Sequence, residues 1–506
     1  MTRFARSPLL ALVAALVGSV LLPAAARGDG DPPPTNPPVD EVYPVPPDGS
    51  FTIQGRGFGH GHGLSQWGAY GAAKVGDLSS NQILHFYYPH TTLATNSVTQ
   101  TVRVLLTAVG APKKGYLEID PAPGLTVSSQ TGDAAVLPDQ TPAGDPIDAW
   151  RLRKSGGTLS LLAHSAKGWT VATPDLGALA TVSDPDGVIG VVDGTRTIRY
   201  RGQLVAQLQS GALQVVDDVL VESYLRSVVP SEMPHTWKAA ALQAQAVAAR
   251  TYAWRAIASP KTAWFDVVGD TRDQAYPGVG AETAKTDRAI HATAGEVIVD
   301  SSGAAIFAQY FSADGGWTVS GGQPYLPAKH DPYDGAVPNG SHVWSAKLTA
   351  SAIEAAYPSI GELRQIVITG RDGHGAWGGR VTALALVGSD GTKTVTGTGF
   401  QSALGLRSPW LRPLPAPGPP VAVAATASGR TVTARWKPPK TVAGAAKVTG
   451  YRVRLTPGKQ VVKTDAATLT ASFDHLKARA YTVAVSAKSA AGRGPVASDR
   501  ATVTGS

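Results

Sequence analysis

The 506-residue sequence contains no cysteine. This absence excludes disulfide bonds, a thiol nucleophile and zinc sites with cysteine ligands, so the fold depends on its apolar core. Charged residues are also sparse, at 16%, whereas glycine (56) and proline (38) are abundant. This composition favours a protein rich in strands and loops over a helical bundle. A chain of this length has enough apolar material for two or three domains.

The balance of charge is basic, with a formal net charge of +8 and a sequence pI near 9.4. A basic surface suits an anionic cell-wall matrix as readily as nucleic acid. Lysine and arginine do not form the dense clusters that are typical of DNA-binding proteins, so we expect no nucleic-acid partner.

The first 26 residues have the three parts of a secretory signal peptide: basic residues Arg3 and Arg6, the apolar run Leu9–Leu22, and an A-x-A cleavage pattern ending at Ala26. This apolar run is short for a membrane span, and no second run of membrane length follows it. We therefore expect a secreted protein, on the extracellular side of the membrane at the cell wall, with no membrane span after signal cleavage. Residues 27–49 are proline-rich and predict a linker without a core of its own.

Short alternating segments dominate two further regions. Between Val102 and Tyr200, segments such as VRVLLTAV, YLEID and TLSLLA are separated by Gly, Pro and Asp turns, which predicts a largely antiparallel sheet. After a second linker at 414–420, similar segments recur in residues 421–506. We therefore predict an α+β fold: a mixed, largely antiparallel β domain over residues 50–413 around a central Ala-rich helix, followed by an all-β sandwich.

The central helix is predicted from about Trp237, since no Gly or Pro occurs between Lys238 and Ser259. One face carries small or apolar residues at helical spacing, which predicts a buried helix. These residues are Leu242, Ala246, Ala249 and Ala253.

A single carboxylate, Glu232, precedes this helix, and Pro230 and Pro234 bracket it in what we predict to be a short rigid lead-in. An isolated acid at the mouth of an apolar helix is expected to have a raised pKa, which suits general acid catalysis. The alternative is that Glu232 only complements the positive end of the helix.

The run PSEMP, a Trp three residues later, and ALQAQAVAARTYA together resemble the signature of the stage II sporulation protein D and amidase enhancer family. The resemblance extends over about Ser50–Pro413. It implies a peptidoglycan lytic transglycosylase with Glu232 as the catalytic acid and base. It also implies a glycan substrate from which stem peptides have been removed.

Two further motifs match the family, and they imply Gln274, Tyr276 and Ser312 as residues of the glycan cleft. The alternative for both segments is ordinary turn chemistry. Ala240, Ala313 and Asp314 depart from the family pattern, but none of them is the presumed catalytic acid.

A glycine-rich segment, FTIQGRGFGHGHG at Phe51–Gly63, leads into a predicted helix over Leu64–Val75. In many family members this segment follows the helix, so we expect a permuted order in which it packs back against the Glu232 region. The resemblance implies that His60, His62, Ser65 and Gln66 contact substrate or position Glu232; otherwise they satisfy carbonyls of the glycine turn. An HxH pair can serve a metal, but two imidazoles are an incomplete ligand set, so we expect no metal and no cofactor.

The C-terminal segment resembles a fibronectin type III module. Four residues occupy positions where that family has its core residues: Trp436, Tyr451, Leu476 and Tyr481. Such modules serve as spacers or as binding accessories, and the fold does not decide between these roles.

Glycosidic hydrolysis normally uses two carboxylates, whereas a lytic transglycosylase needs one, because the 6-hydroxyl of the sugar replaces water. Other carboxylates could approach Glu232 in space, namely Glu222, Asp266, Asp273 and Asp314. Glu222 is the nearest rival, and we expect it to make a structural ion pair or hydrogen bond. Two alternatives stay open: a non-catalytic glycan-binding enhancer of a cell-wall amidase, and a metal-dependent hydrolase that uses His60 and His62.

Overall fold

The structure is a computed structural model that describes residues 39–441 and 445–504. The predicted signal peptide and residues 27–38 of the predicted linker lie outside these ranges. In the described part of the chain, every helix is too short or too polar to span a bilayer.

The N-terminal region contributes two short helices that later pack near Glu232. Its elements are β1 Glu41–Pro44, β2 Ser50–Arg56, β3 Leu64–Ser65, α1 Gln66–Lys74, α2 Ser80–Tyr87 and β4 Thr92–Thr95. Ser65 caps α1 through its side chain, and Ser79 forms a capping box with Gln82 at the start of α2.

Strand β1 corrects the predicted linker over 27–49. It pairs antiparallel with the strand Leu363–Arg371, and Tyr43 and Val45 pack against an apolar core. The neighbouring prolines are compatible with this strand because it lies at a sheet edge, where only one side of the backbone is hydrogen-bonded.

Residues 101–220 form the strands predicted from their alternating pattern. They are β5 Thr101–Leu105, β6 Tyr116–Ile119, β7 Thr126–Ser128, β8 Ala134–Val136, β9 Ala149–Ser155, β10 Thr158–Ser165, β11 Gly168–Thr173, β12 Leu179–Ser183, β13 Val188–Asp193, β14 Arg196–Arg201, β15 Gln203–Gln209 and β16 Ala212–Leu220, with the short helix α3 Ala111–Lys114 after β5.

The next region carries the helices of the site. Its elements are α4 Val221–Glu232, α5 Ala239–Ala258, β17 Val267–Val268, α6 Ala284–Ala292, β18 Glu296–Val299 and β19 Tyr310–Phe311. Strand β17 extends a seven-stranded sheet ordered β17-β5-β16-β15-β12-β7-β8, and the remaining strands of residues 101–220 form a six-stranded sheet ordered β11-β10-β9-β6-β13-β14. The two sheets share one core.

Helix α5 is the buried central helix that the sequence predicted. Ala246, Ala249 and Ala253 belong to the core of the two large sheets, while Leu242 and Val247 belong to a second core shared with α1 and α2. All five are fully buried. The small side chains therefore let one helix contact a sheet layer and a helix layer at once.

The chain then forms two small sheets. Besides β1 and β2, residues 343–413 contribute five strands and two α-helices: β20 Val343–Thr349, α7 Ala350–Ala356, β21 Leu363–Arg371, β22 Val381–Gly388, β23 Thr392–Thr396, α8 Gly397–Ala403 and β24 Leu411–Pro413. The sheets are ordered β20-β2-β24 and β1-β21-β22-β23, and they enclose a separate core around Phe51 and Ile368.

The C-terminal region is the predicted sandwich. Its strands are β25 Val421–Ser428, β26 Thr431–Lys437, β27 Val448–Thr456, β28 Val461–Asp465, β29 Thr470–Phe473, β30 Arg479–Ser489 and β31 Gly492–Val503. Sheets ordered β25-β26-β29 and β28-β27-β30-β31 face each other. Trp436, Tyr451, Leu476 and Tyr481 lie in their common core, as the sequence indicated.

Candidate active site

Glu232 is the last residue of α4, which corrects the predicted rigid lead-in. The helix continues through Pro230, which removes one backbone donor near the helix end. Met233 is extended because it precedes Pro234 and a proline disfavours helical geometry in the residue before it. Glu232 therefore lies at the negative end of one helix, before the start of the next.

The carboxylate of Glu232 accepts hydrogen bonds from two separate segments. Gln66 Nε2 donates to Oε2 at 3.2 Å, and the backbone N–H of Ala275 donates to Oε1 at 3.3 Å. The residue is partly exposed, so it can reach a ligand.

Burial raises the pKa of Glu232 above the ordinary value for a glutamate, and the hydrogen bonds from Ala275, Gln66 and Tyr310 only partly offset that effect. Its position at the carboxyl end of α4 acts in the same direction, because the helix dipole disfavours an anion there. A larger protonated fraction near neutral pH is what a general acid requires.

A chain of buried hydrogen bonds leads from the main core to Glu232. Tyr224 Oη donates to Gln274 Oε1 at 2.9 Å, and Gln274 Nε2 donates to Tyr310 Oη at 2.8 Å. The Tyr310 hydroxyl is then left to donate to Glu232, and this hydrogen bond lowers the pKa of Glu232. Gln274 is fully buried, so it positions Tyr310 rather than contacting a substrate.

The glycine-rich segment packs back against the Glu232 region, as the expected permutation requires. Strand β3 pairs in parallel with β19, which places Gln66 one residue beyond the paired Ser65. Gly63 has φ +77°, and a Cβ at this position would lie 2.2 Å from the Gln309 carbonyl oxygen. Only glycine therefore allows the close approach of the two segments.

The other predicted residues of this segment have different environments. Ser65 is buried and donates to Asp334 Oδ1 at 2.9 Å while capping α1, which is a structural role. His60 and His62 stack at 5.3 Å, and His60 also contacts Phe311. Although part of the His60 ring is open to solvent, desolvation by its surroundings and then repulsion from His62 lower the pKa of His60 to about 4. Both imidazoles are therefore neutral hydrogen-bonding groups near neutral pH.

Two residues predicted to contact substrate differ in accessibility. Tyr276 is buried in the main core and donates to Asp217 Oδ2 at 2.8 Å, which argues against direct contact with a glycan. Ser312 is partly exposed, and its carbonyl accepts from the backbone N–H of Trp67. Ser312 therefore stays a candidate contact.

The four carboxylates considered as partners of Glu232 are each bound elsewhere. Glu222 pairs with Arg250, and Asp266 pairs with Arg103. Asp273 accepts from Tyr252, Lys261 and the backbone of Val268.

Asp314 is fully buried, and burial followed by the neighbouring charges of Asp331 and Asp334 raises its pKa well above the usual range. Burial therefore favours the protonated form of Asp314, which is poorly suited to act as a base or nucleophile.

An aromatic cluster adjoins the site. The Trp67 and Trp237 rings lie 4.8 Å apart, and Tyr70 stacks on Trp237 at 4.6 Å. Trp67 follows the Glu232 partner Gln66 in the chain and is partly exposed, whereas Trp237 is 7% exposed. A rigid aromatic surface beside an acid suits the apolar face of a sugar ring.

Across residues 39–441 and 445–504, no group of three or more His, Asp or Glu side chains is arranged to hold a metal ion.

The family model described as stage II sporulation protein matches residues 209–299, which include Glu222, Glu232 and Gln274. Residues 209–299 are therefore identified as a stage II sporulation protein domain. The fibronectin type III model matches residues 415–504, so the sporulation protein domain is followed by a fibronectin type III domain. The resemblance to the sporulation protein family is confirmed over residues 209–299, and the resemblance to the fibronectin type III family over residues 415–504; the wider range of about Ser50–Pro413 stays a prediction.

Two curated relatives are similar to the region of the sporulation protein domain. The amidase enhancer of Bacillus subtilis is 37% identical over 116 residues, which are 22% of this chain and 15% of that protein. Stage II sporulation protein D of Bacillus subtilis is 30% identical over 225 residues, which are 39% of this chain and 61% of that protein. The chain thus spans less than two thirds of either relative.

Solved structures match the C-terminal module. The third fibronectin III domain of the human KIAA0343 protein is 18% identical, with a TM-score of 0.17. The match covers 18% of this chain and 86% of the chain of that structure. The fn3 domain of human collagen alpha-1(XX) chain is 25% identical, with a TM-score of 0.16. The match covers 18% of this chain and 90% of the chain of that structure.

The sequence analysis did not select Tyr224 and Tyr310. Both lie in segments that resemble the family, but the sequence could not show that their hydroxyls bond to the oxygen and the nitrogen of the Gln274 amide. The available signal was that Tyr310 precedes the selected Ser312 in the same motif.

Replacing Tyr310 with Phe should raise the pKa of Glu232 further, because it removes a donor to the carboxylate. For a step that needs protonated Glu232, the descending limb of the pH–rate profile should therefore move to higher pH. The plateau rate should fall by about tenfold, because the carboxyl group loses one of the groups that hold it in position. Tyr252→Phe is a matched control, since Tyr252 donates to Asp273 instead. An unchanged pH profile in Tyr310→Phe would refute the positioning role.

Proposed function

We propose that the protein is a secreted lytic transglycosylase that remodels peptidoglycan at the cell wall. Glu232 is the proposed acid and base, and peptide-free glycan strands are the proposed substrate. The observation that carries the proposal is a partly buried glutamate with a raised pKa, set in a polar network beside a partly exposed aromatic cluster. Similarity to stage II sporulation protein D supports the cell-wall setting.

The proposed reaction needs one carboxyl group. Protonated Glu232 donates its proton to the glycosidic oxygen as the bond from C1 to that oxygen breaks. The resulting carboxylate then removes the proton of the 6-hydroxyl, whose oxygen bonds to C1 and gives a 1,6-anhydro-N-acetylmuramic acid end. Water is not consumed and Glu232 regains its proton, so the cycle closes without a second catalytic acid.

The test is mass spectrometry of products after the purified protein is incubated with intact and with peptide-free glycan strands. We expect anhydro ends from the peptide-free strands. Products with reducing ends enriched in ¹⁸O from labelled water would instead identify a hydrolase and overturn the proposal.

A second candidate is a glycan-binding enhancer of a cell-wall amidase, favoured by the similarity to the amidase enhancer. It predicts glycan binding without cleavage, together with a faster separate amidase. A Glu232→Gln variant would then stimulate the amidase as well as the wild type does.

Replacing Trp67 with Ala should raise KM for glycan strands about fivefold with little change in kcat, because ring stacking contributes roughly 1 kcal/mol to ground-state and transition-state binding alike. Trp169→Ala is a matched control, since Trp169 is also partly exposed but packs against His164 and Arg151 in the six-stranded sheet. Equal kinetics for both variants would exclude a sugar contact at Trp67.

A further inference from the structure

Positive charge is concentrated in the fibronectin type III domain. Residues 415–504 contain 14 Lys and Arg, three Asp and no Glu, a net charge of +11. The rest of the chain contains 31 Lys and Arg against 34 Asp and Glu. The basic character of the whole protein therefore comes from this one module.

Much of this charge lies on one face of the four-stranded sheet. Tyr451, Val453 and Leu455 point into the sandwich core, so the alternate positions of β27 point outward. The cross-strand register places the cations of the neighbouring strands on the same outward side. We call the resulting set the basic face, and its members are Arg452, Arg454, Lys463, Lys488, Arg493 and Arg500.

The basic face lacks compensating acids. Arg452 is directly opposite Lys463, and Lys488 is opposite Arg493, and like charges placed this way are unfavourable. Within the ranges that the structure describes, no basic-face residue forms a salt bridge. These cations are therefore available to an external anion.

Nearby carboxylates are engaged in turns and backbone contacts. Asp465, on the same face, accepts from the backbone of Ala467 and Thr468. Asp499 accepts from the Ala425 backbone, and Asp48, which lies near Gly492, accepts from Ser50. None of them neutralises the row of cations.

The centre of the face is concave. A cavity of about 620 Å³ is lined by four of the six cations, Arg452, Lys463, Lys488 and Arg493, together with Thr449 and Thr464. Arginine forks bind phosphate oxygens in pairs, while lysine supplies a mobile point charge. The outward positions between the cations are Gly, Ala, Ser, Thr and Val, so the face offers no aromatic platform for stacking nucleobases.

We propose that the basic face binds an anionic cell-wall polymer with repeated phosphodiester groups, and thereby holds the protein at the wall. Repeated charges along a chain match cations that extend across four adjacent strands. Phosphodiesters are stronger acids than carboxylic acids, so they remain ionised at a pH where carboxylates become protonated. This binding role is independent of Glu232 and goes beyond the proposed cleavage reaction.

The test measures Kd of the full-length protein for immobilised poly(glycerol phosphate) by biolayer interferometry, with poly-L-glutamate and single-stranded DNA as comparison probes. The basic-face variant combines Arg452→Gln, Lys463→Gln and Lys488→Gln. The control variant combines Arg435→Gln, Lys437→Gln and Lys440→Gln, which removes the same charge from exposed positions on or beside β26 of the opposite sheet.

We expect the basic-face variant to bind poly(glycerol phosphate) at least about tenfold more weakly, and the control variant to stay within about twofold of wild type. Added salt should weaken wild-type binding more steeply than that of the basic-face variant. Equal losses in the two variants would overturn the proposal in favour of unspecific attraction by net charge. Failure of the wild type to bind, or equal binding of DNA or polyglutamate, would also overturn it. Matching thermal melts would confirm that the variants are folded.

Discussion

Replacing Glu232 with Gln should reduce formation of anhydro ends by about 10²–10⁴-fold, since the amide can neither donate nor accept the proton in transit. Gln has nearly the same shape, and its single amide oxygen can still accept from one of the two donors, Gln66 or Ala275, so the site geometry should largely persist. The measurement is mass spectrometry of glycan products over time. Binding of the uncut glycan should change little, which separates loss of chemistry from loss of affinity.

Glu222→Gln is the matched control for this change. It makes the same substitution in the same helix, but Glu222 is bound to Arg250 rather than exposed at the site. Folded Glu222→Gln should retain cleavage. Loss of activity in this variant with full activity in Glu232→Gln would transfer the catalytic role to Glu222.

Glu232→Gln should also change stability in a pH-dependent way. Burial raises the folded-state pKa of Glu232 above the unfolded-state value. The wild type therefore loses stability as pH rises through the folded-state pKa, whereas the Gln variant has no such loss. At alkaline pH the variant should therefore be more stable and melt at a higher temperature than the wild type, and the difference should disappear as pH falls below the unfolded-state pKa of Glu232. If the variant melts at a lower temperature than the wild type at pH 8, burial does not destabilise the ionised carboxylate and the prediction is wrong.

The sequence predicted those features of the site that are local. The length and burial of α5 follow from an uninterrupted Ala-rich segment, and the raised pKa of Glu232 follows from its apolar surroundings. The packing of the glycine-rich segment against the Glu232 region was also predictable, because the sequence motif implied that this segment lies beside Glu232. In these cases one segment, or one motif, determines the outcome.

Other features depend on contacts between distant segments and could not be predicted. Tyr276 follows Gln274 by two residues, yet Tyr276 donates to Asp217 in the core while Gln274 serves the network at Glu232. Strand β1 forms because it pairs with β21 at the edge of a small sheet. The proline-rich composition of this segment does not reveal that pairing. The end of α4 at Glu232, rather than before Pro230, depends on the packing of the whole helix against the core.

The largest effect on folding is expected from Arg250→Met, because this guanidinium holds the two helices of the site together. Arg250 is fully buried; its Nε and Nη2 donate to Glu222 at 2.7 and 2.9 Å, and it also donates to the carbonyls of Glu296 and Ile290. Its loss leaves the Glu222 carboxylate without its counter-charge and removes one donor from each of the two carbonyls. We expect destabilisation by about 3–5 kcal/mol, measured as a lower midpoint in urea unfolding.

Arg201→Met is the matched control for Arg250→Met. Arg201 makes the same two-point contact with Glu282, at 2.6 and 2.9 Å, but its side chain is 26% exposed and Glu282 keeps Arg226 as a second cation. This change should cost no more than about 1 kcal/mol. Equal costs at the two sites would mean that burial of the pair does not govern its contribution. A larger cost at Arg250 would instead explain why Glu222, the nearest rival to Glu232, is committed to holding α4 against α5 and is not available for catalysis.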